Sequence, residues 1–332
     1  MYNERKELIK RISELRQSNV ICYIGGDRHN ISTRIAPDII PVFYNHLEHL
    51  GESKRIDLFL YTKGGDVLTA LRLVHLIYEY TDNFSVLIPY KCYSAGTLIS
   101  LGASEIVMGK LGELSPVDPN ITSAFNPDDP GNPQVRLPIN VEDVYSFFSI
   151  AKDVVGIRDD DALAKIFTGL TEHVHPLAVG AIHRTYSLIR LIARKLLLTH
   201  MDASEEARID DIINNLTEKL FAHNYMISRK EAREALKLPV SCCGCELERT
   251  MWKLYEHYKN DLLLDRPFIP EKAADADGNF SVYCGYIESP DMLDGYAFEG
   301  IIQKPFMQDE NYTGNVSIVN QGWKAIERVN RI

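Results

Sequence analysis

Apolar residues along the chain fall into two alternating patterns. Short unbroken runs, "NVICYI" (Asn19–Ile24), "IDLFLYT" (Ile56–Thr62), "FSVLIP" (Phe84–Pro89) and "EIVM" (Glu105–Met108), read as strands buried on both faces. Between them, Ile35–Leu50, Val67–Tyr80 and Ala95–Leu101 repeat apolar positions three and four apart and read as helices. Repeated β-α units of this length predict a mostly parallel sheet covered by helices on both faces. In such a sheet, sites gather at the carboxyl ends of the strands.

Beyond residue 110 the alternation breaks. Pro116–Pro138 is rich in Pro, Asn and Asp and reads as a long loop near a site entrance. "VEDVYSFFSIAKDVVG" reads as a helix, and Pro176–Leu236 as a series of amphipathic helices packed on the sheet or on a neighbouring subunit. Past Leu238 the pattern shifts to Cys, Tyr and turn residues, with "DADGNF" as a hairpin turn before the strand "NFSVYCGYI". This divides the chain into residues 1–240 and an appended module, 241–332, whose role the pattern does not reveal.

Composition narrows the function classes. The 332 residues are 45% hydrophobic and 25% charged, as in an ordinary globular chain. A net charge of −10 argues against nucleic acid as a partner, since phosphate contacts call for excess Lys and Arg. No apolar run is long enough to span a bilayer, and "MYNERKELIKRISELRQ" is a charged helix instead of a signal peptide, so the expected location is cytoplasmic. Adjacent Cys242 and Cys243 in "SCCGCELE" do not follow the usual spacing of zinc ligands, and no metal or cofactor is expected.

Chemistry concentrates at two turns. "YTKGGDV" places Gly64 and Gly65 between a strand and a helix, where uncovered N–H groups bind negative charge. "CYSAG" places Ser94 where the third strand passes into a helix. Ser there reads either as an N-cap or as a nucleophile at a helix N-terminus. Acyl transfer needs a nucleophile and two N–H donors aimed at the tetrahedral oxyanion, which the Gly65 and Ala95 amides supply from neighbouring strand ends.

On these turns, "CYSAGTLISLGASEIVMGKLGELSPVDP" (Cys92–Pro119), "HPLAVGAIHRTYSLIR" (His175–Arg190) and "HNYMISRKEAREAL" (His223–Leu236), residues 15 to 240 resemble the Clp/crotonase superfold. The resemblance is closer to the SppA and serine dehydrogenase proteinase group of Clp-like serine peptidases. It implies an α/β fold with a parallel β-α-β core, additional helices and a small C-terminal module. It also implies Ser94 as nucleophile, Gly65 and Ala95 as oxyanion donors, and a serine-type endopeptidase acting on peptides or unfolded proteins. Assembly as a trimer or larger ring that encloses its sites is implied as well.

The base is not fixed by this pattern. Clp-type proteases carry a His about 25 residues beyond the Ser, where this chain reads "GELSPVDPN". SppA-type peptidases use a Lys whose pKa must be lowered by burial. Lys152, among Phe147, Phe148, Ile150, Val154 and Val155, is the first candidate; His175, just ahead of a helix with Pro at its first turn, is the second. Asp118 would orient either. Two alternatives stay open: a crotonase-type acyl-CoA enzyme, and a non-catalytic scaffold that has lost its base.

Overall fold

The computed structural model describes residues 2–117, 120–121, 124–129, 131–217, 225–303 and 315–328. The first part of the chain runs α1 (Tyr2–Arg16), β1 (Asn19–Gly25), α2 (Ile39–Leu50), β2 (Ile56–Tyr61), α3 (Val67–Tyr78), β3 (Phe84–Ile88), β4 (Lys91–Cys92), α4 (Ala95–Leu101), β5 (Glu105–Met108) and β6 (Glu113–Leu114). Short strands follow, β7 (Asn120–Ile121), β8 (Asp128–Asp129), β9 (Asn132–Arg136) and β10 (Ile139–Asn140). Then come α5 (Val141–Ser149) with a π-helical turn (Ile150–Val154), α6 (Asp160–His173), α7 (Pro176–Leu197) and α8 (Glu206–Thr217). The chain continues through β11 (Ile227–Ser228), α9 (Arg229–Glu234), β12 (Val240–Cys242), α10 (Cys245–Asp261) and α11 (Pro270–Ala273) to β13 (Asn279–Ser289), β14 (Met292–Gln303) and β15 (Asn315–Arg328).

The protein is α/β, built on an eight-stranded sheet in the order β12-β5-β3-β2-β1-β13-β14-β15. The first five strands are parallel, as the β-α alternation predicts. Because side chains alternate across a strand, consecutive apolar residues feed two cores. Ile21, Leu58, Leu60, Val86 and Ile106 pack under α2, α3, α4, α7 and α8. Cys22, Phe59, Tyr61, Leu87 and Val107 pack under α1 and α10. This double burial is why the strands are apolar throughout.

The expected division at residue 240 does not coincide with a structural seam. β12 extends the parallel edge beside β5, and β13 pairs antiparallel with β1, so residues beyond 240 complete both sides of the same sheet. Strand β13 was foreseen; its partner was not. "DADGNF" is the turn expected, with Asp275 accepting from the amides of Asp277 and Asn279 and Gly278 at φ +86°.

Polar side chains fasten the late segments to the early ones. Arg5 on α1 pairs with Glu288 on β13 and Asp261 on α10, its guanidinium lying over the Tyr258 and Tyr286 rings. On α2, His46 contacts Ser289 through Nδ1 (2.8 Å) and Asp294 through Nε2 (2.9 Å). This Ser, His and Asp set is buried throughout and has no surface for a substrate, so it clamps α2 to the β13–β14 hairpin.

Candidate active site

The two turns meet at the carboxyl ends of β2 and β4. The Thr62 amide donates to the Lys91 carbonyl and the Tyr93 amide to the Thr62 carbonyl, both at 3.0 Å, which locks the glycine turn to the serine turn. The question of why the first turn needs two glycines has a geometric answer. A Cβ on Gly64, at φ +108°, would lie 2.7 Å from the Ser94 Cβ, and one on Gly65, at φ +151°, would lie 2.0 Å from the Ile35 carbonyl oxygen. A side chain on Gly64 would push the two turns apart, and one on Gly65 would collide with the Ile35 backbone. Asp66, which follows, caps α3 by accepting from the Thr69 amide and hydroxyl.

The Gly64 amide is satisfied by Thr62 Oγ1 at 2.9 Å. Among the described residues, neither the Gly65 amide nor the Ala95 amide donates a hydrogen bond, and Ala95 opens α4, where amides lack intrahelical partners. Ser94, directly ahead of Ala95, sits at φ 52° and ψ −112°, a backbone conformation that costs a non-glycine residue about 1–3 kcal/mol. Its hydroxyl makes no capping bond, so the N-cap reading of Ser94 does not describe this helix start. A strained serine whose hydroxyl, like the Gly65 and Ala95 amides, has no partner among the described residues is a feature that suits a covalent acyl-transfer step.

The surroundings hold the elbow in place. The Ser94 amide donates to Ser115 Oγ at 2.8 Å, and Ser115 donates in turn to the Pro116 carbonyl at 2.9 Å. Thr97 Oγ1 donates to the Ser115 carbonyl, and the Tyr93 hydroxyl donates to Glu113. Burial first, then the bond to Glu113, pushes the Tyr93 phenol well above its ordinary value and keeps it protonated as that donor. Ser115 carries no functional signal in the sequence, where Ser115–Pro116 is an ordinary turn dipeptide.

Neither proposed base is hydrogen-bonded to Ser94. Lys152 lies on the π-helical turn after α5 and is exposed, and the apolar residues expected to bury it are themselves open: Ile150 is 55% exposed, Val154 79% and Val155 65%. The expected desolvation of Lys152 is therefore absent from the single chain. His175 is the N-cap of α7, as its Pro176 suggested; its ring stacks on Phe125 at 4.8 Å and its Nδ1 accepts from the Leu177 amide at 3.2 Å. Asp118 and His223 lie outside the described residues. The three clustered thiols diverge, Cys242 taking the Arg233 guanidinium and Cys243 the Met108 carbonyl, while Cys245 opens α10. Among the described residues no helix is long and apolar enough to cross a membrane.

Residues 1–128, which contain both turns, match the family of ClpP-like SDH-type serine proteinases, in agreement with the resemblance read from the motifs. An uncharacterized protein of Methanocaldococcus jannaschii, MJ0137, is 29% identical over 205 residues, 62% of this chain and 60% of that one. A second from the same organism, the uncharacterized protein MJ1495, is 39% identical over 70 residues, 21% of this chain and 24% of that one. The chain thus spans less than two thirds of the length of each of these relatives. No solved structure matches.

Proposed function

We propose that the protein is a serine-type endopeptidase with a Clp/crotonase-like core, acting on peptides or unfolded proteins. The observation that carries this reading is the strained Ser94 backbone on a turn locked to the glycine turn, with the Gly65 and Ala95 amides donating to no partner among the described residues. Ser94 Oγ attacks the scissile carbonyl carbon as its proton passes to a base. The two amides take the oxyanion, each such donor contributing about 10²–10³ in rate. Collapse breaks the C–N bond with the proton returned to the leaving amine, and water releases the acyl group by the same steps.

The base is assigned to Lys152 or His175. Lys152 must be desolvated to hold a neutral amine, which an assembly covering the exposed apolar face of α5 and its π-helical turn would achieve. We take that assembly to be a homo-oligomer, a trimer or larger ring, of a cytoplasmic protein that needs no cofactor. Fluorophosphonate labelling followed by peptide mass mapping tests the nucleophile: wild type should carry the label on Ser94 and Ser94→Ala none. The second reading, a non-catalytic scaffold, is favoured by the absence, among the described residues, of a base bonded to Ser94 Oγ, and wild type that never labels would establish it over the first. A crotonase-type acyl-CoA enzyme would be revealed by thermal stabilisation with coenzyme A thioesters.

A further inference from the structure

A cavity of about 390 Å³ opens at the carboxyl ends of β1 and β2, on the α10 side of the sheet. Its wall includes Lys63, bonded directly to Gly64, and Lys91, three residues ahead of Ser94. Deep in it, Asp27 accepts from Tyr61 Oη at 2.7 Å and Lys91 Nζ at 3.0 Å, with Lys63 Nζ at 3.5 Å. Burial pushes the Asp27 carboxyl up, but the bonds from Tyr61 and Lys91 and the lysine charges outweigh it, leaving it below the usual carboxylate range. Asp27 is therefore a fixed anchor for two ammonium groups.

The charges in this cavity do not balance. Asp27 is shared by two lysines, Lys259 is matched by Asp265 at 3.4 Å, and Arg266 is in no ion pair among the described residues. The excess is two positive charges, in a protein whose net charge is −10. At the amino ends of the strands the contrast is clear, since Arg16 and Arg55 are matched there by Asp57 and Glu105. A concave site with unmatched cations and low-dielectric walls concentrates anions.

We infer that this cavity binds the carboxylate of a peptide, its free C-terminus or an acidic side chain, with Lys63 and Arg266 as the contacting cations and Asp27 as the residue that positions Lys63 and Lys91. That the anion belongs to a peptide rests on the peptidase reading of Ser94. Lys63 and Lys91 share the locked frame of the glycine and serine turns, so a carboxylate held here registers the adjoining chain against the elbow.

The test is calorimetric binding to full-length protein of N-acetyl-Ala-Ala as the free acid, as its C-terminal amide, and of inorganic phosphate. The acid should bind about tenfold more tightly than the amide, the value of one charge-assisted hydrogen bond. Lys63→Gln and Arg266→Gln, both exposed and foldable changes, should remove that preference without altering the amide. Equal binding of acid and amide, or a preference unchanged in both variants, overturns the proposal, and phosphate binding as tightly as the acid overturns the peptide assignment. Ser94→Ala should keep the preference, so a failed nucleophile and a failed carboxylate site give different results.

Discussion

The backbone amide of Ser94 and the hydroxyl of Ser115 are joined by a 2.8 Å hydrogen bond, made while Ser94 holds a sparsely populated backbone conformation. Ser115→Ala leaves that amide without its acceptor, a loss of about 1–3 kcal/mol borne by the elbow. Labelling of Ser94 by a fluorophosphonate should slow about tenfold in Ser115→Ala, and Ser115→Thr, which keeps the hydroxyl, should recover most of the rate. Equal labelling rates in wild type and Ser115→Ala would show that the elbow stands without this support.

The two glycines should fail in different ways. Gly65→Ala drives a Cβ into the Ile35 backbone, and the cost should reach about 3 kcal/mol or more, read as a lowered urea midpoint. Gly64→Ala instead meets the Ser94 Cβ and the Tyr93 carbonyl, so Ser94 labelling should drop more than stability does.

Acid should weaken the α2 clamp. Burial pushes the His46 imidazole below its ordinary value, outweighing the hydrogen bond it donates to Asp294, with Arg328 and His49 lowering it further. The unfolded chain takes up a proton near pH 6.5 that the folded chain refuses. Stability is therefore full above about pH 7 and declines below pH 6.5, by at most about 1.4 kcal/mol per pH unit. Asp294, itself held low, begins to lose its contribution only near pH 4. Urea unfolding between pH 7.5 and 5.5 should show this slope in wild type and a flatter one in His46→Gln; parallel slopes would remove His46 from the account.

The open apolar face formed by Phe147, Ile150, Val154, Val155 and Phe167 should be covered in solution. Light scattering should find a homo-oligomer, and Val154→Glu with Phe167→Glu should disperse it. A monomer in wild type across micromolar concentrations would sink this expectation.

Much of the first part of the chain was legible because its signals are local. Strands buried on both faces write continuous apolar runs, and the boundaries of β1, β2, β3, α4 and β5 fall within a residue of the pattern. The glycine turn and the serine turn were readable for the same reason, since each is a few residues long. Ser115, Asp27 and Arg266 were not, because their roles come from partners distant in sequence. α2 begins at Ile39 instead of Ile35, since the Ile35 backbone pairs with the glycine turn, a tertiary demand that the helical period does not express. That the strands beyond residue 240 join the main sheet was not legible for a related reason: hairpin signals announce strands but not the sheet they join.

Pairing between β1 and β13, with Cys22 opposite Glu288, also sets the order in which this protein can be made. On a ribosome β1 acquires β2 within a few dozen residues, yet its other edge stays open until β13 (Asn279–Ser289) has been synthesised. For that interval the nascent half-sheet presents a row of unpaired amides and carbonyls on an apolar strand, the kind of surface that recruits wrong partners. The hairpin of β13 and β14 therefore acts as the closing piece, and the protein's vulnerability to misassembly ends when it docks.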